Sequence, residues 1–413
     1  MRILLPIIQF PPDVNPTGLL MAQLCEGLTA CGHEVSVITG FPHYENFRVW
    51  DEYRGKLVQR ARYRDMDVTR LYVYAPGKKS MVNRLLSYVS YNTLATMAGA
   101  LSRRRWDVVL CPNGSFFTGI TAWLLEKMKS APFIYNVQDL YPEVPVRAGQ
   151  LRNRHAIAAL RSMEQFMYRK AAHITVITPA IRENLLGKGV PTDKMTVIPN
   201  FVDTDFIRPL AKDNDFARAH GLADKFVVTY AGSFGYVYDL ETLLDAASLL
   251  SAQKDMLFLI VGHGVAKTEL ERKARELKLA NVRFMPFQPR ENLPWLRASS
   301  DIQVSLYKNG AAHDSFSSKI YEIMASARPL LVSSEAGSGV EQLVESARCG
   351  VCVRPGNAEQ LAQAILHLYR DASLREGMGQ RGRQYAERNH SKSAVVARYD
   401  ELFQRIFTGK LSH

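Results

Sequence analysis

The chain has 413 residues, of which 47% are hydrophobic, 22% charged and 10% aromatic. That length exceeds one ordinary core, and that composition excludes a disordered chain, a collagen and a small disulfide scaffold. Lysine and arginine number 52 against 40 aspartates and glutamates, a formal net charge of +12, which points to a polyanionic partner: nucleic acid, a membrane surface or a phosphorylated substrate. The excess is uneven. Residues 1–200 hold 25 basic and 15 acidic side chains, and residues 201–413 hold 27 and 25. Within the first half, Arg48 to Arg84 contains ten basic and four acidic residues.

Short apolar runs alternate with amphipathic segments along the whole chain. In the first half, strands are expected at Ile3–Gln9, Glu34–Thr39, Val68–Val73, Val108–Cys111, Phe133–Gln138, Ile174–Thr178 and Met195–Ile198, with helices between most of them. The second half repeats the theme, with strands from Phe226–Ala231 to Val351–Val353. Continuous Val/Ile/Leu strands joined by helical crossovers read as parallel sheets covered on both faces. Two such blocks predict an α/β chain of two doubly wound, Rossmann-like domains, residues 1–204 and 205–390. The polar stretch from Asn200 to Lys225 marks the boundary. A last helix, 391–407, is free to pack back on the first domain. Five cysteines at irregular spacing argue for a reducing compartment. Cys349 and Cys352 have CxxC spacing without a second pair, and read as thiols in a strand rather than metal ligands. Neither a signal peptide nor a run of 18 apolar residues is present, so no transmembrane helix is expected.

In open α/β sheets, ligands sit outside the carboxyl ends of the strands. With two such domains facing each other, the cleft between them is the expected site. Four loops that follow strands therefore matter. Pro11 to Gly18 lacks the GxGxxG fingerprint. Thr17 is placed to cap the next helix, and Gly18 lets a phosphate approach its amides; the same loop also reads as a plain strand–helix turn. Gly232-Ser233-Phe234-Gly235 can hold phosphate oxygens on backbone N–H groups, although glycine also ends strands for conformational reasons. Asp314 to Glu322 opens a helix with small residues, so its amides and dipole suit an anion, Lys319 adds a full charge, and Glu322 suits ribose hydroxyls; a capped surface helix explains the same pattern. Gln138-Asp139, in the segment Val137 to Glu143, puts a carboxylate at a strand's carboxyl end, where it serves as an acid–base or acceptor-binding group or caps a turn before Pro142. The DxD spacings at Asp65/Asp67 and Asp203/Asp205, and His33 in a helix–strand turn, read as structural.

The order and spacing of these motifs resemble the retaining, nucleotide-sugar-dependent glycosyltransferases of family 4, with two facing Rossmann-like domains (the GT-B fold). Val197-Ile198-Pro199-Asn200-Phe201-Val202-Asp203 resembles that family's IPNGVD motif, with Phe201 where glycine is usual. Gly32-His33-Glu34-Val35, Val261-Gly262-His263-Gly264 and Lys319-Ile320-Tyr321-Glu322-Ile323-Met324-Ala325 resemble its GHEV turn, VGxG loop and SKxYEYMA helix. The DLYPE segment, Asp139 to Glu143, resembles the WcaI- and WbuB-like branch, which builds bacterial surface polysaccharides. The resemblance implies roles. Asp314 and Glu322, eight apart, stand where the family has its E-x7-E carboxylates, for donor-sugar hydroxyls and ribose. The amides of Phe316, Ser317 and Ser318 would hold the diphosphate, helped by Gly18, Gly262 and the loop Gly232, Ser233 and Gly235. Ser233, Tyr236 and Tyr238 stand where many members have cations, so Lys319 supplies the positive charge. Gln138 stands where many members have a histidine, which leaves Asp139 on the acceptor side.

The resemblance further implies a metal-independent reaction without cofactor, because oriented amides and one lysine can stabilise the leaving phosphate. It implies front-face attack with retention, and domain closure that excludes water. A nucleotide-sugar epimerase on the same fold and a non-catalytic nucleotide- or polyanion-binding protein are the alternatives. No nucleic-acid motif is present. Leu85 to Ser102 carries no charge and lies between Lys78-Lys79-Arg84 and Arg103-Arg104-Arg105. It reads either as an interfacial helix on a bilayer or as a buried crossover helix. The expected partners are a nucleotide-sugar donor, a saccharide acceptor linked to a polyprenyl diphosphate, and an anionic membrane surface. The expected location is the cytoplasm, peripheral on the inner face of the plasma membrane.

Overall fold

The apolar runs of the first half form strands buried on both faces: β1 (Arg2–Ile7), β2 (Glu34–Gly40), β4 (Met66–Leu71), β5 (Val108–Pro112), β6 (Phe133–Val137), β7 (His173–Val176) and β8 (Met195–Val197). The computed structural model describes residues 1–407 apart from 14, 115, 144, 145, 147–150, 236 and 312–315. Among the described residues they join one eight-stranded sheet in the order β3-β4-β2-β1-β5-β6-β7-β8. All neighbours are parallel except β3 (Val58–Tyr63), which pairs antiparallel with β4. The sequence reading missed β3, because Arg60 and Arg62 break its apolar alternation. An edge strand exposes one side to water, and charges there block edge-to-edge pairing.

Without β3 and β8, this order is the doubly wound 3-2-1-4-5-6, and it reverses between β1 and β5. The second half repeats it. β9 (Phe226–Ser233), β10 (Met256–His263), β11 (Val282–Met285), β12 (Ile302–Leu306), β13 (Leu330–Ser333) and β14 (Gly350–Val353) form a parallel sheet in the order β11-β10-β9-β12-β13-β14. Its reversal lies between β9 and β12. The chain divides into two compact units: Met1–Pro142 with Arg152–Asn200 and the segment from Val395 onward, and Phe201–Ala394 with Glu143–Leu151. Residues 201–225 are not a polar linker. Ile207, Phe216, Ala217 and Leu222 are buried there, and the last three share a cluster with Val227 and Leu259 of the second sheet.

Two helices of the first unit need description. α1 (Pro16–Ala30) is capped by Asn15, whose side chain accepts the Gly18 N–H at 3.0 Å. The expected cap, Thr17, instead lies inside the first turn. α2 (Met81–Leu101) is inverted relative to an ordinary surface helix. Its buried stripe is small or polar: Ser87, Asn92, Ala95 and Gly99, with Tyr91 as the large exception. Gly99 lets the helix approach Leu125, whose side chain a methyl group would meet. The outward face carries Met81, Leu85, Val89, Met97 and Leu101, all more than 40% exposed. Among the described residues no helix is long and apolar enough to cross a membrane.

The last helix, Lys392–Phe407, supplies the first unit from Val395 onward. Tyr399 accepts a hydrogen bond from the Asn136 amide at 3.0 Å, and Asp400 pairs with His33 at 2.9 Å.

Gly350 starts β14 opposite Leu330, and a methyl group on it would overlap the Leu330 carbonyl oxygen. Gly350→Ala must push β14 away from β13 and is expected to destabilise the second unit by at least about 2 kcal/mol. Urea unfolding followed by circular dichroism measures the loss.

Candidate active site

The reversal in the first sheet opens a cavity of about 440 Å³. Ile8 and Gln9 line it after β1, Asn113 after β5, and Gln138 and Asp139 after β6. α2 contributes Arg84, Ser87 and Tyr88, and Lys79 stands just before it. This is where a doubly wound sheet places a ligand, because diverging crossovers leave a crevice there.

A chain of amides fixes the floor. Asn113 accepts the Gln138 backbone N–H at 2.8 Å and donates to the Asp139 carbonyl at 2.6 Å. The Gln138 side chain donates to Asn136 at 2.6 Å and accepts from Asn200 at 2.8 Å. Both ends of that amide are thus engaged in holding the strand ends and the Ile198-Pro199-Asn200 turn. Asp139 is half-buried, and burial pushes its carboxyl up to about 6. It is a carboxylate poised to change state near neutrality inside a cavity.

His43 also lines this cavity, and the sequence reading passed over it. The Asp13 carboxylate accepts the backbone N–H groups of His43 and Tyr44 at 3.0 and 2.9 Å. The ring nitrogen Nδ1 lies 2.7 Å from the Phe41 carbonyl. A carbonyl can only accept, so Nδ1 carries the proton and Nε2 keeps the lone pair. Burial lowers the imidazole pKa, against the Phe41 bond and the Asp13 charge. The ring is neutral at pH 7 and offers a hydrogen-bond acceptor. A histidine three residues after the end of β2 was the available signal.

The second unit assembles its own site at the reversal between β9 and β12. Lys319 starts the helix Lys319–Ala325 and is buried. Its ammonium donates to the Tyr230 hydroxyl at 3.0 Å and stands 4.3 Å and 3.8 Å from the ring centres of Tyr230 and Tyr238. Gly232 lies over it; a methyl group there would come within 2.7 Å of Nζ. Gly262 is equally constrained, because its own methyl would overlap the Gly232 carbonyl oxygen. Ser233 accepts the Tyr230 hydroxyl proton through its carbonyl at 2.6 Å, and Gly235 continues this loop. Burial, with Arg297 nearby and against the attraction of Glu322, lowers the Lys319 ammonium to about 7.

Glu322 accepts a 2.7 Å hydrogen bond from Arg297, which is 2% exposed and also donates to Gln303 at 2.6 Å. Sequence reasoning could not find Arg297, which looks like a solvated position of a short helix. Phe316 stacks on Tyr321 at 5.2 Å. The Ser317 N–H, expected to face a phosphate, donates to the Tyr307 hydroxyl at 3.0 Å, and the Gly18 N–H is held by Asn15. Neither amide is free for an anion in this arrangement. Ser318 precedes Lys319 without a side-chain cap. Asp314 and Tyr236 lie outside the described residues. The motifs read as structural have structural partners: Asp67 pairs with Arg104 at 2.7 Å, and Asp203 accepts the Asp205 N–H at 3.1 Å. Among the described residues no cluster of three or more His, Cys, Asp or Glu could hold a metal ion.

Two measurements follow from the shifted groups. The Asp139 carboxyl titrates near 6 in the folded chain and near 3.8 when free, so the folded state loses stability as pH rises through that interval. Asp139→Asn is expected to raise the melting temperature above pH 6 and to leave it unchanged below about pH 4. Lys319 is the converse case. Inorganic pyrophosphate should bind the second unit tightly below pH 7 and lose at least tenfold in affinity toward pH 9, in calorimetric titration. Lys319→Met should flatten that profile.

The geometry has counterparts. Residues 18–200 match the model of the glycosyl transferase 4-like domain, and residues 212–385 match that of the glycosyl transferases group 1. The putative colanic acid biosynthesis glycosyl transferase WcaI of Escherichia coli is 27% identical over 97% of this chain and 98% of its own. The probable glycosyltransferase WbjE of Pseudomonas aeruginosa is 24% identical over 70% and 72%. Among solved structures, the sucrose-phosphate synthase of Thermosynechococcus elongatus superposes with a TM-score of 0.77 at 19% identity, covering 99% of this chain and 100% of that one. Anabaena HepE in complex with UDP gives 0.70 at 16%, covering 98% and 100%. Two doubly wound halves, a glycine-flanked lysine at one switch point and a lined cavity at the other agree with the family models across both halves: the chain belongs to the GT-B glycosyltransferases of family 4 and is a glycosyltransferase similar to those of polysaccharide biosynthesis.

Proposed function

We propose that the enzyme moves a sugar, with retention, from a UDP- or GDP-sugar to a polyprenyl-diphosphate-linked saccharide at the inner face of the plasma membrane. The carrying observation is Lys319, a buried ammonium under Gly232 at the switch point where doubly wound sheets take nucleotides. Departure of the nucleoside diphosphate builds charge on its phosphate oxygen. A preorganised cation in a dry site stabilises that charge strongly. In this reading the lysine does so without a divalent metal, and no cofactor takes part. As the bond from the anomeric carbon to phosphate breaks, the acceptor oxygen bonds to that carbon from the same face. The acceptor's proton passes to the leaving phosphate. Asp139 and neutral His43 accept hydrogen bonds from acceptor hydroxyls and orient them. The Arg297–Glu322 pair leaves Glu322 a carboxylate oxygen for the ribose. Solved HepE complexes hold UDP and UDP-glucose, which favours a uridine donor here.

The membrane part of the reading rests on α2. Its outward apolar face is flanked by Lys78, Lys79, Arg103 and Arg105, all exposed. Apolar area plus basic flanks suits the surface of an anionic bilayer. The first turns of the same helix supply Arg84, Ser87 and Tyr88 to the cavity. A lipid diphosphate can therefore meet Lys79 and Arg84 while its chain stays among Met81, Val82 and Leu85.

A thermal-shift screen of UDP-, GDP- and ADP-sugars tests the donor, because a bound ligand stabilises by mass action. A UDP- or GDP-sugar should raise the melting temperature of the wild type and not of Lys319→Met. With that donor, the products should be free nucleotide and a glycoside of unchanged anomeric configuration, in EDTA as in buffer. An isomerised sugar nucleotide would instead mark an epimerase. kcat/KM should fall below pH 6 and above pH 7. Flotation with anionic vesicles should be lost in a Leu85→Ser, Val89→Ser, Met97→Ser variant.

A further inference from the structure

A second cavity of the first unit, about 400 Å³, lies outside the active site. Its wall is built where the chain leaves β4 and where it crosses the short helical turn Asp51–Tyr53. Tyr53, Tyr72 and Tyr74 line it, with Arg48 and Arg54. Backbone bonds close it: Arg48 bridges to Pro76, and the Gly77 N–H donates to the Phe47 carbonyl at 2.6 Å. Tyr53 is buried with its ring on Phe41 at 5.0 Å, while the guanidinium side chains of Arg48 and Arg54 with Tyr72 and Tyr74 give the concavity donors that suit a phosphodiester. Arg48 is exposed. Arg54 holds Asp51 at 2.7 Å, but both side chains are solvated, and such a pair is weak enough to reopen toward a phosphate.

The rim distinguishes the source of the phosphate. Trp50 is 40% exposed, Leu57 65% and Tyr72 38%, and the Tyr72 N–H donates to the Leu57 carbonyl at 2.9 Å. Val58, next in the chain, is 52% exposed. Exposed apolar side chains thus neighbour the lining residues in the chain, and an indole, a phenol and aliphatic groups beside cations match the level where headgroups meet acyl chains. The cavity wall ends at Gly77, directly before Lys78, Lys79 and the outward apolar face of α2. A soluble phosphate has no use for that rim.

We propose that this cavity binds the headgroup of an anionic phospholipid, with Arg48 and Arg54 on the phosphate and Trp50 and Leu57 against the acyl chains. The inference rests on the membrane reading above and adds a specific lipid site to it. Arg48 and Arg54 are two of the ten basic residues concentrated between residues 48 and 84.

The probe is short-chain phosphatidylglycerol, kept below its micelle concentration and titrated calorimetrically into the full chain. Saturable binding to the wild type is expected, weakened about tenfold or more in Arg48→Ala/Arg54→Ala, each cation near a lipid being worth about fivefold. Arg103→Ala/Arg105→Ala should bind as the wild type does, and both variants should keep the wild-type melting temperature. Equal binding by Arg48→Ala/Arg54→Ala overturns the site. Glycerol 3-phosphate binding as tightly as the lipid overturns the lipid assignment. The membrane reading fails separately, when the wild type does not float with phosphatidylglycerol vesicles; the lipid site alone fails when it floats but does not bind the monomer.

Discussion

The second unit is organised around a cation it holds out of water. An ammonium buried in protein is costly unless something replaces its hydration. Here the replacement is two aromatic faces and one hydroxyl, while the neighbouring carboxylate of Glu322 is committed to Arg297. The loop above must then be glycine at 232, because any side chain would collide with the ammonium. Gly262 follows in turn, because its strand lies in register against that loop. Tyr307 orders the entry to the lysine's helix by holding the Ser317 amide. The result is a buried cation whose nearest carboxylate is engaged by another partner.

The first unit solves a different problem. Its cavity combines groups that are neutral or change state near neutrality, namely His43, Asp139 and the engaged amide of Gln138, with the cations Lys79 and Arg84 on the α2 side. The hydrogen-bonding part of that lining suits polyhydroxylated molecules, which need many oriented hydrogen bonds. Further fixed positive charge lies on the strands and loops from Arg48 to Lys78 and beside α2. The first unit thus joins a hydrogen-bonding cavity to a charged, partly apolar exterior at α2.

The fold was legible because buried parallel strands are continuous apolar runs, and these survive any change of partner. What escaped was set by tertiary context. β3 was hidden by its arginines, since an edge strand follows solubility rather than burial. Residues 201–225 looked like a boundary stretch, because their buried apolar anchors, such as Ile207, Phe216 and Leu222, are spaced too irregularly to show a period. At the site, Lys319, Glu322 and the Gly232 loop were readable from type and position. Arg297 was not, because an arginine becomes a buried partner only when folding brings a carboxylate to it. The amides of Ser317 and Gly18 misled for the same reason: a helix start offers free N–H groups only where no hydroxyl or side-chain carbonyl has taken them.

The helix Lys392–Phe407 has a consequence for biogenesis. The first unit keeps its Asn136–Tyr399 and His33–Asp400 bonds with residues that are synthesised after the whole second unit. Its amino-terminal sheet therefore waits, partly unsealed, while the whole second unit is translated and free to fold. The order of maturation of this unit thus runs against the order of synthesis.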